Sequence, residues 1–331
     1  MLVLERCDAA RKDPAMSDRS TNEFESSSAA AGLKTRRRIQ IAAVSLALVF
    51  GLSTVAALRW LSNAAAPLDD IDFRQRFKGG ALIISGGGRL PPEIRQRFVE
   101  LAGGASARIV VIPAFAADEK QQAGLHDVWR PFGVTNIRVL QADSREVADR
   151  PEFSEPIQTA TGVWLSGGQQ EWLATRYAGS RVESELQALV KRGGVIGGSS
   201  AGAAVMSQVM IEQGLDTATL GTGLDLFPGA VIDQHFLKRS RLNRLLRVLE
   251  AQPALIGFGI DEGTALVVQL SKGRLGVLGD SYVMVCVPQT EKGEPRYEAM
   301  KRGDQIDIDA LRSGTARVSS PQSLDNWLSE E

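Results

Sequence analysis

The run GGSSAGAA at residues 197–204 sets a hydroxyl among residues with almost no side chain, between the apolar pair Val195-Ile196 and the helix-like Val205-Met206. Its core, Gly198-Ser199-Ser200-Ala201-Gly202, fits the G-x-S-x-G pattern of a nucleophile elbow, with a strand entering, a sharp turn and a helix leaving from Ala201. Ser200 would then stand at a helix N-terminus, where the Ala201 amide and the helix dipole can stabilise the oxyanion of an acyl-transfer step. The blander reading is a tight strand-to-helix turn that needs small residues for packing. A nucleophilic serine also needs a base, and the chain has two histidines. His126 lies in a polar helical run, Gly124-Leu125-His126-Asp127, and reads as a surface residue. His235 follows the apolar run Ala230-Val231-Ile232 and so stands at the end of an expected strand. The acid could be Glu262, in the turn that closes the strand-like run at 256–260. The chain order would then be Ser, His, Glu. An α/β-hydrolase places its histidine last, so on that topology the acid would be Asp216, Asp225 or Asp233.

Such groups need elements to position them. From Gly79 onward short β-branched runs at 81–85, 108–112, 137–140, 163–165 and 195–196 alternate with helical patterns at 91–101, 119–129, 170–177 and 181–191. This alternation predicts an α/β domain with a mostly parallel sheet and helices on both faces. Sites in such sheets form at the carboxyl ends of strands, where three glycine-rich turns fall: Gly86-Gly87-Gly88, Gly167-Gly168 and Gly197-Gly198. Glycine there lets a ligand or a second backbone approach closely. The first turn lacks G-x-G-x-x-G spacing and no Lys-Ser or Lys-Thr follows it, which argues against a nucleotide. After Ile260 the runs at 265–268 and 282–285, separated by turn residues, predict antiparallel strands completing the domain.

Behind His235 a helix is expected whose Leu242, Leu245, Leu246 and Leu249 face the core, punctuated by Lys238, Arg239, Arg241, Arg244 and Arg247. A solvated basic face is the plain reading. Arg241 and Arg244 nevertheless share a helix face, with Arg239 near its start, and guanidinium forks suit bidentate capture of a substrate carboxylate. Asp233 and Asp261 are the carboxylates nearest in sequence that could face a basic substrate group.

The segments 198–203, Asp233-Gln234-His235-Phe236 with the arginines behind it, and Gly257-Phe258-Gly259-Ile260-Asp261-Glu262-Gly263-Thr264-Ala265 together closely resemble the cyanophycinases, serine peptidases grouped with the aspartyl dipeptidase called peptidase E. The resemblance runs from about Gly79 to Val285 and implies a fold like that of class I glutamine amidotransferases, with serine in place of their cysteine. It implies Ser200 as nucleophile, His235 as base and Glu262 as acid. Ala201 and Gly168 would serve the oxyanion, and Gln170, Asp233, Gln234, Arg239, Arg241 and Arg244 the substrate. The activity implied is cleavage of multi-arginyl-polyaspartate into β-aspartyl-arginine dipeptides, with neither metal nor organic cofactor. This chain departs from the family pattern at Ser199, where threonine is usual, and at Gln169, where aspartate is. A general esterase or amidase, or an anchored binding module without turnover, are the rival functions; retention of Ser, His and Glu together speaks against the module.

At 331 residues and 44% hydrophobic content the chain can bury a full core, and its net charge of −1 provides no basic field for nucleic acid. Two histidines without a Cys or His cluster beside them argue against zinc, and Cys7 and Cys286 lie too far apart in organisation for a structural disulfide to be expected. Residues 1–38 are polar, end in Lys34-Thr35-Arg36-Arg37-Arg38, and read as a disordered tail. Residues 41–58 carry no charge and are followed by Trp60, so 39–61 is expected to be a single membrane span, an anchor or an uncleaved signal. The basic flank places the N-terminus in the cytoplasm, and thus the domain at 79–331, after a linker at 62–78, outside the cytoplasmic membrane; cleavage at Val55-Ala56-Ala57 would instead release it. The partners expected are a peptide substrate and the membrane, with a homodimer left open.

Overall fold

A computed structural model describes residues 79–288 and 296–312, all within the compact unit Ala65–Glu331. The expected tail, membrane span and linker lie outside the described residues, among which no helix is long and apolar enough to cross a membrane.

The first half alternates strand and helix: β1 (Ala81–Ser85), α1 (Pro92–Leu101), β2 (Arg108–Ala114), α2 (Glu119–Asp127), β3 (Asn136–Val139), α3 (Arg145–Ala148), α4 (Pro151–Thr159), β4 (Gly162–Gly168), α5 (Gln170–Tyr177), α6 (Arg181–Lys191) and β5 (Val195–Ser199). The second half runs α7 (Ala201–Ala204), β6 (Val209–Gln213), β7 (Thr219–Thr222), β8 (Ala230–Gln234), α8 (Leu242–Ala251), β9 (Ile256–Ile260), β10 (Thr264–Gln269), β11 (Arg274–Gly279), β12 (Tyr282–Val287), β13 (Arg296–Lys301), β14 (Gln305–Asp307) and α9 (Ile308–Arg312).

Among the described residues the main sheet has the order β14-β11-β10-β1-β5-β4-β2-β3. Its β1, β5, β4, β2 and β3 are parallel, and β10, β11 and β14 extend it antiparallel from β1. A second sheet, β13-β12-β9-β8, is parallel only between β8 and β9, and β6 and β7 form a separate hairpin. The mostly parallel α/β expectation holds for the main sheet, where five of the eight described strands are parallel and antiparallel strands complete the rest.

Strand β1 is apolar at every position but its last because both faces are covered. Leu82 and Ile84 pack with Leu173, Tyr177, Leu186 and Leu189 of α5 and α6, whereas Ile83 packs with Ile94, Phe98 and Val99 of α1. The period of two thus sends neighbouring residues to opposite layers. Under α1 the rings of Phe98, Trp129 and Trp164 meet with centroids 5.1–5.3 Å apart. The inner face of the second sheet, Ile232, Phe258 and Val285, joins the α5–α6 core, and its outer face, Val231 and Cys286, packs under Leu245, Val248 and Leu249 of α8.

Candidate active site

The small residues around the Ser200 hydroxyl have a steric cause. A Cβ at Gly198 would lie 2.4 Å from the Gly202 carbonyl oxygen, and one at Gly202 would lie 2.1 Å from that of Leu165. Strand, turn and helix therefore press together with no room for side chains, and the turn is forced through Ser200, whose φ is 53° and ψ −110°. A positive φ on a residue with a Cβ is strained, and such strain concentrates at functional sites. It lifts the hydroxyl clear of β5. The exiting helix α7 is a single turn, so the helix dipole expected at Ser200 is weak and the donor that remains is the Ala201 N–H, which has no partner within the helix.

His235 directly follows β8, and Glu262 lies between β9 and β10. The structure brings the three together: Ser200 Oγ is 2.8 Å from His235 Nε2, and His235 Nδ1 is 2.6 Å from Glu262 Oε1. With a carboxylate accepting at Nδ1, the neutral ring carries its proton there and presents a lone pair at Nε2 to the serine hydroxyl. Asp233, one of the alternative acids, is wholly buried and bonded elsewhere. Burial pushes the His235 pKa below the usual histidine value; the Glu262 hydrogen bond opposes this, and the positive charges of Arg239 and Arg241 reinforce it.

Two sheets supply these groups, β5 from the main one and β8 and β9 from the second, and the end of β1 joins them. The Ser85 carbonyl accepts from Ser200 N–H at 3.0 Å, that of Gly86 from His235 N–H at 2.9 Å, and that of Gly87 from Gly263 N–H at 3.0 Å. Three consecutive carbonyls thus index the nucleophile, the base and the residue beside the acid. Gly87, at φ 107°, touches the imidazole: a Cβ there would sit 2.5 Å from His235 Cε1. The sequence signal was the Gly86-Gly87-Gly88 turn, whose use of close approach is by a second backbone and a ring.

The residues expected to bind substrate divide. Gly168 is exposed at the end of β4, and its neighbour Gly167 flanks the serine, since a Cβ there would lie 3.7 Å from Ser200 Cβ. Gln170 is turned to the β6–β7 hairpin, donating to the carbonyls of Ile211 at 3.3 Å and of Glu212. Arg244, expected to take a substrate carboxylate, is 3% exposed on the buried stripe of α8; its Nε donates to Asp233 Oδ2 at 2.9 Å and its Nη2 to Asp233 Oδ1. Its Nη1 donates to the Gly214 carbonyl. Arg241, which precedes α8, donates from Nη1 to Gln234 Oε1 at 2.6 Å, to the Gln234 carbonyl and to Asp233 Oδ1 at 3.3 Å. The carboxylate these two arginines hold is therefore the chain's own Asp233. Asp261 is likewise taken up internally, by Lys238 N–H at 2.9 Å and the Ser281 hydroxyl at 2.7 Å. Arg239 differs: it is exposed, and its N–H donates to the His235 carbonyl at 3.0 Å.

An α/β sheet with a serine, a histidine and a carboxylate in hydrogen-bonded line at its strand ends has the form of a serine hydrolase. The peptidase family S51 model matches residues 81–276, and the chain belongs to that family, among the serine peptidases. It is 34% identical over 206 residues to the cyanophycinase of Synechococcus elongatus, covering 60% of this chain and 64% of that protein. It is 32% identical over 241 residues to that of Nostoc sp., covering 68% and 80%. The chain thus spans under two thirds of the first of these relatives. A peptidase from an acI-B1 Actinobacterium shares the fold at a TM-score of 0.56 and 23% identity, covering 69% of this chain and 97% of that one.

Proposed function

We propose that this chain is a serine exopeptidase that hydrolyses multi-L-arginyl-poly-L-aspartate or related β-aspartyl peptides, releasing β-aspartyl-arginine dipeptides through an acyl-enzyme. The observation that carries the reading is the unbroken line from Ser200 Oγ through His235 to Glu262. His235 Nε2 takes the hydroxyl proton as Oγ attacks the scissile carbonyl, then returns it to the leaving amine. Glu262 holds the Nδ1 proton and stabilises the imidazolium that forms. The Ala201 N–H, with the backbone at Gly168, meets the developing oxyanion. A water then repeats the sequence on the ester. The exposed Arg239, next to the base, pairs with a substrate carboxylate, while Asp233, Gln234, Arg241, Arg244 and Gln170 stiffen the wall behind it.

The uncharged run 41–58 and the preceding Arg36-Arg37-Arg38 support a further part of the proposal, a single-pass anchor that holds the domain outside the cytoplasmic membrane.

The test is incubation of the full chain in detergent with multi-arginyl-polyaspartate, isoaspartyl dipeptides and a nitrophenyl ester, with products identified by mass spectrometry. β-Aspartyl-arginine should appear with wild type and not with Ser200→Ala. Ester hydrolysis alone would replace this reading with a general esterase, and no turnover of any substrate would leave a binding module.

A further inference from the structure

Asp261 is the residue before the proposed acid, 9% exposed, and its carboxylate joins elements that are far apart in the chain. Oδ1 accepts the Lys238 N–H at 2.9 Å, on the loop that follows His235 by three residues. Oδ2 accepts the Ser281 hydroxyl at 2.7 Å, in the turn between β11 and β12. From Ser281 the chain of bonds returns to the acid: its N–H donates to Thr264 Oγ1 at 2.8 Å, and the Thr264 hydroxyl donates to the Glu262 carbonyl at 3.4 Å. Thr264, in the middle of this return path, is wholly buried. The Asp261 N–H donates to the Tyr282 carbonyl at 3.2 Å, which fixes the carboxylate's own backbone.

We propose that Asp261 is a positioning residue that sets the separation between His235 and Glu262, bracing the base-bearing loop against the acid-bearing turn. The proposal rests on the Ser200–His235–Glu262 reading. A carboxylate receiving a backbone N–H and a hydroxyl in a shielded site makes strong, short hydrogen bonds, which makes it a stiff spacer. The 2.6 Å contact between His235 Nδ1 and Glu262 Oε1 draws on that brace: the β8–β9 pairing ends at Gln234 and Ile260 and the β1 carbonyls fix the backbones there, and beyond these strand ends the Asp261 side chain ties the loop after His235 to the turn that carries Glu262. Substrate does not touch Asp261 in this scheme; both of its oxygens are already occupied.

Two measurements on the full chain in detergent decide this. The first is kcat and KM on the β-aspartyl substrate for Asp261→Ala, Asp261→Asn and Ser281→Ala. The second, free of substrate, is the low-field proton NMR signal of His235 Nδ1–H; the chain has two histidines, so His126→Asn assigns it. Asp261→Ala should lower kcat at least tenfold with KM within threefold, and should broaden or abolish the His235 signal. Asp261→Asn keeps an acceptor for Lys238 N–H and should fall between it and wild type, as should Ser281→Ala. If Asp261→Ala fails to fold, those two variants decide by the same readouts. Wild-type kcat with an unchanged signal overturns the proposal, and a raised KM with kcat unchanged would make Asp261 a substrate contact instead. A Ser200→Ala variant with wild-type turnover would bring down the triad reading itself, and the NMR signal would still report separately whether Asp261 holds the imidazole.

Discussion

Ser200 and His235 both adopt positive φ, 53° and 50°, although each carries a Cβ. Strain of this kind costs about 1–3 kcal/mol and persists where the surroundings over-determine it. Ser200→Gly should therefore abolish turnover while raising Tm by a few degrees, at about 2–4 °C per kcal/mol for a domain of this size; a fall in Tm on calorimetry would show that the serine conformation is relaxed. Ser200→Ala and His235→Ala should each cost about 10³-fold or more in kcat, and residual activity within tenfold of wild type would contradict their roles. Burial lowers the His235 pKa, and the base must be neutral to accept a proton. The sign follows: as pH falls, kcat/KM should hold below the ordinary histidine value near 6.5 before it drops, and a midpoint above 6.5 would be the contrary result. At this scale Ser200 and His235 were legible from their strand-end segments, whereas residue types left the acid open among Glu262, Asp216, Asp225 and Asp233, and it was the family resemblance that pointed to Glu262. The partner of Arg244 was not legible. A spacing of three on a helix says which residues share a face but not which face is buried, and Asp233 reaches both arginines across the turn between β8 and α8.

The end of β1 and the start of α8 are where elements become a site. Gly87 and Gly103 both have φ 107°, but a Cβ at Gly87 would strike the His235 ring, while at Gly103 it would meet nothing within 4 Å. Both alanine substitutions should carry the cost of the positive φ, Gly87→Ala should lose more stability than Gly103→Ala, and only Gly87→Ala should lose activity, by at least tenfold; equal activities would remove β1 from the positioning of the base. Asp233→Ala leaves two buried guanidiniums without their carboxylate and should cost about 3–5 kcal/mol in denaturant unfolding. Alternating strand and helix patterns read out most of the first half, including α5 and α6 with their bounds. They missed the one-turn α3, the helix α4, whose Pro151 and Pro156 imitate loop punctuation, and the β6–β7 hairpin, whose strands are only five and four residues long.

Across the whole molecule the sheet that holds Ser200 and the one that holds His235 meet through contacts no local pattern reveals, such as the His235 N–H on the Gly86 carbonyl at the end of β1. Composition and periodicity therefore predict a parallel α/β sheet but not its division in two. The N-terminal expectation belongs to the same scale: protease added to intact spheroplasts should digest the domain, and digestion only after lysis would refute an external location. For the central claim the most direct measurement is labelling of the full chain with a fluorophosphonate, followed by intact mass and peptide mapping. One adduct should form per chain, on Ser200, with His235→Ala slowing it by about 10³-fold or more. Absence of an adduct, or an adduct on another serine, would contradict Ser200 as a nucleophile activated by His235.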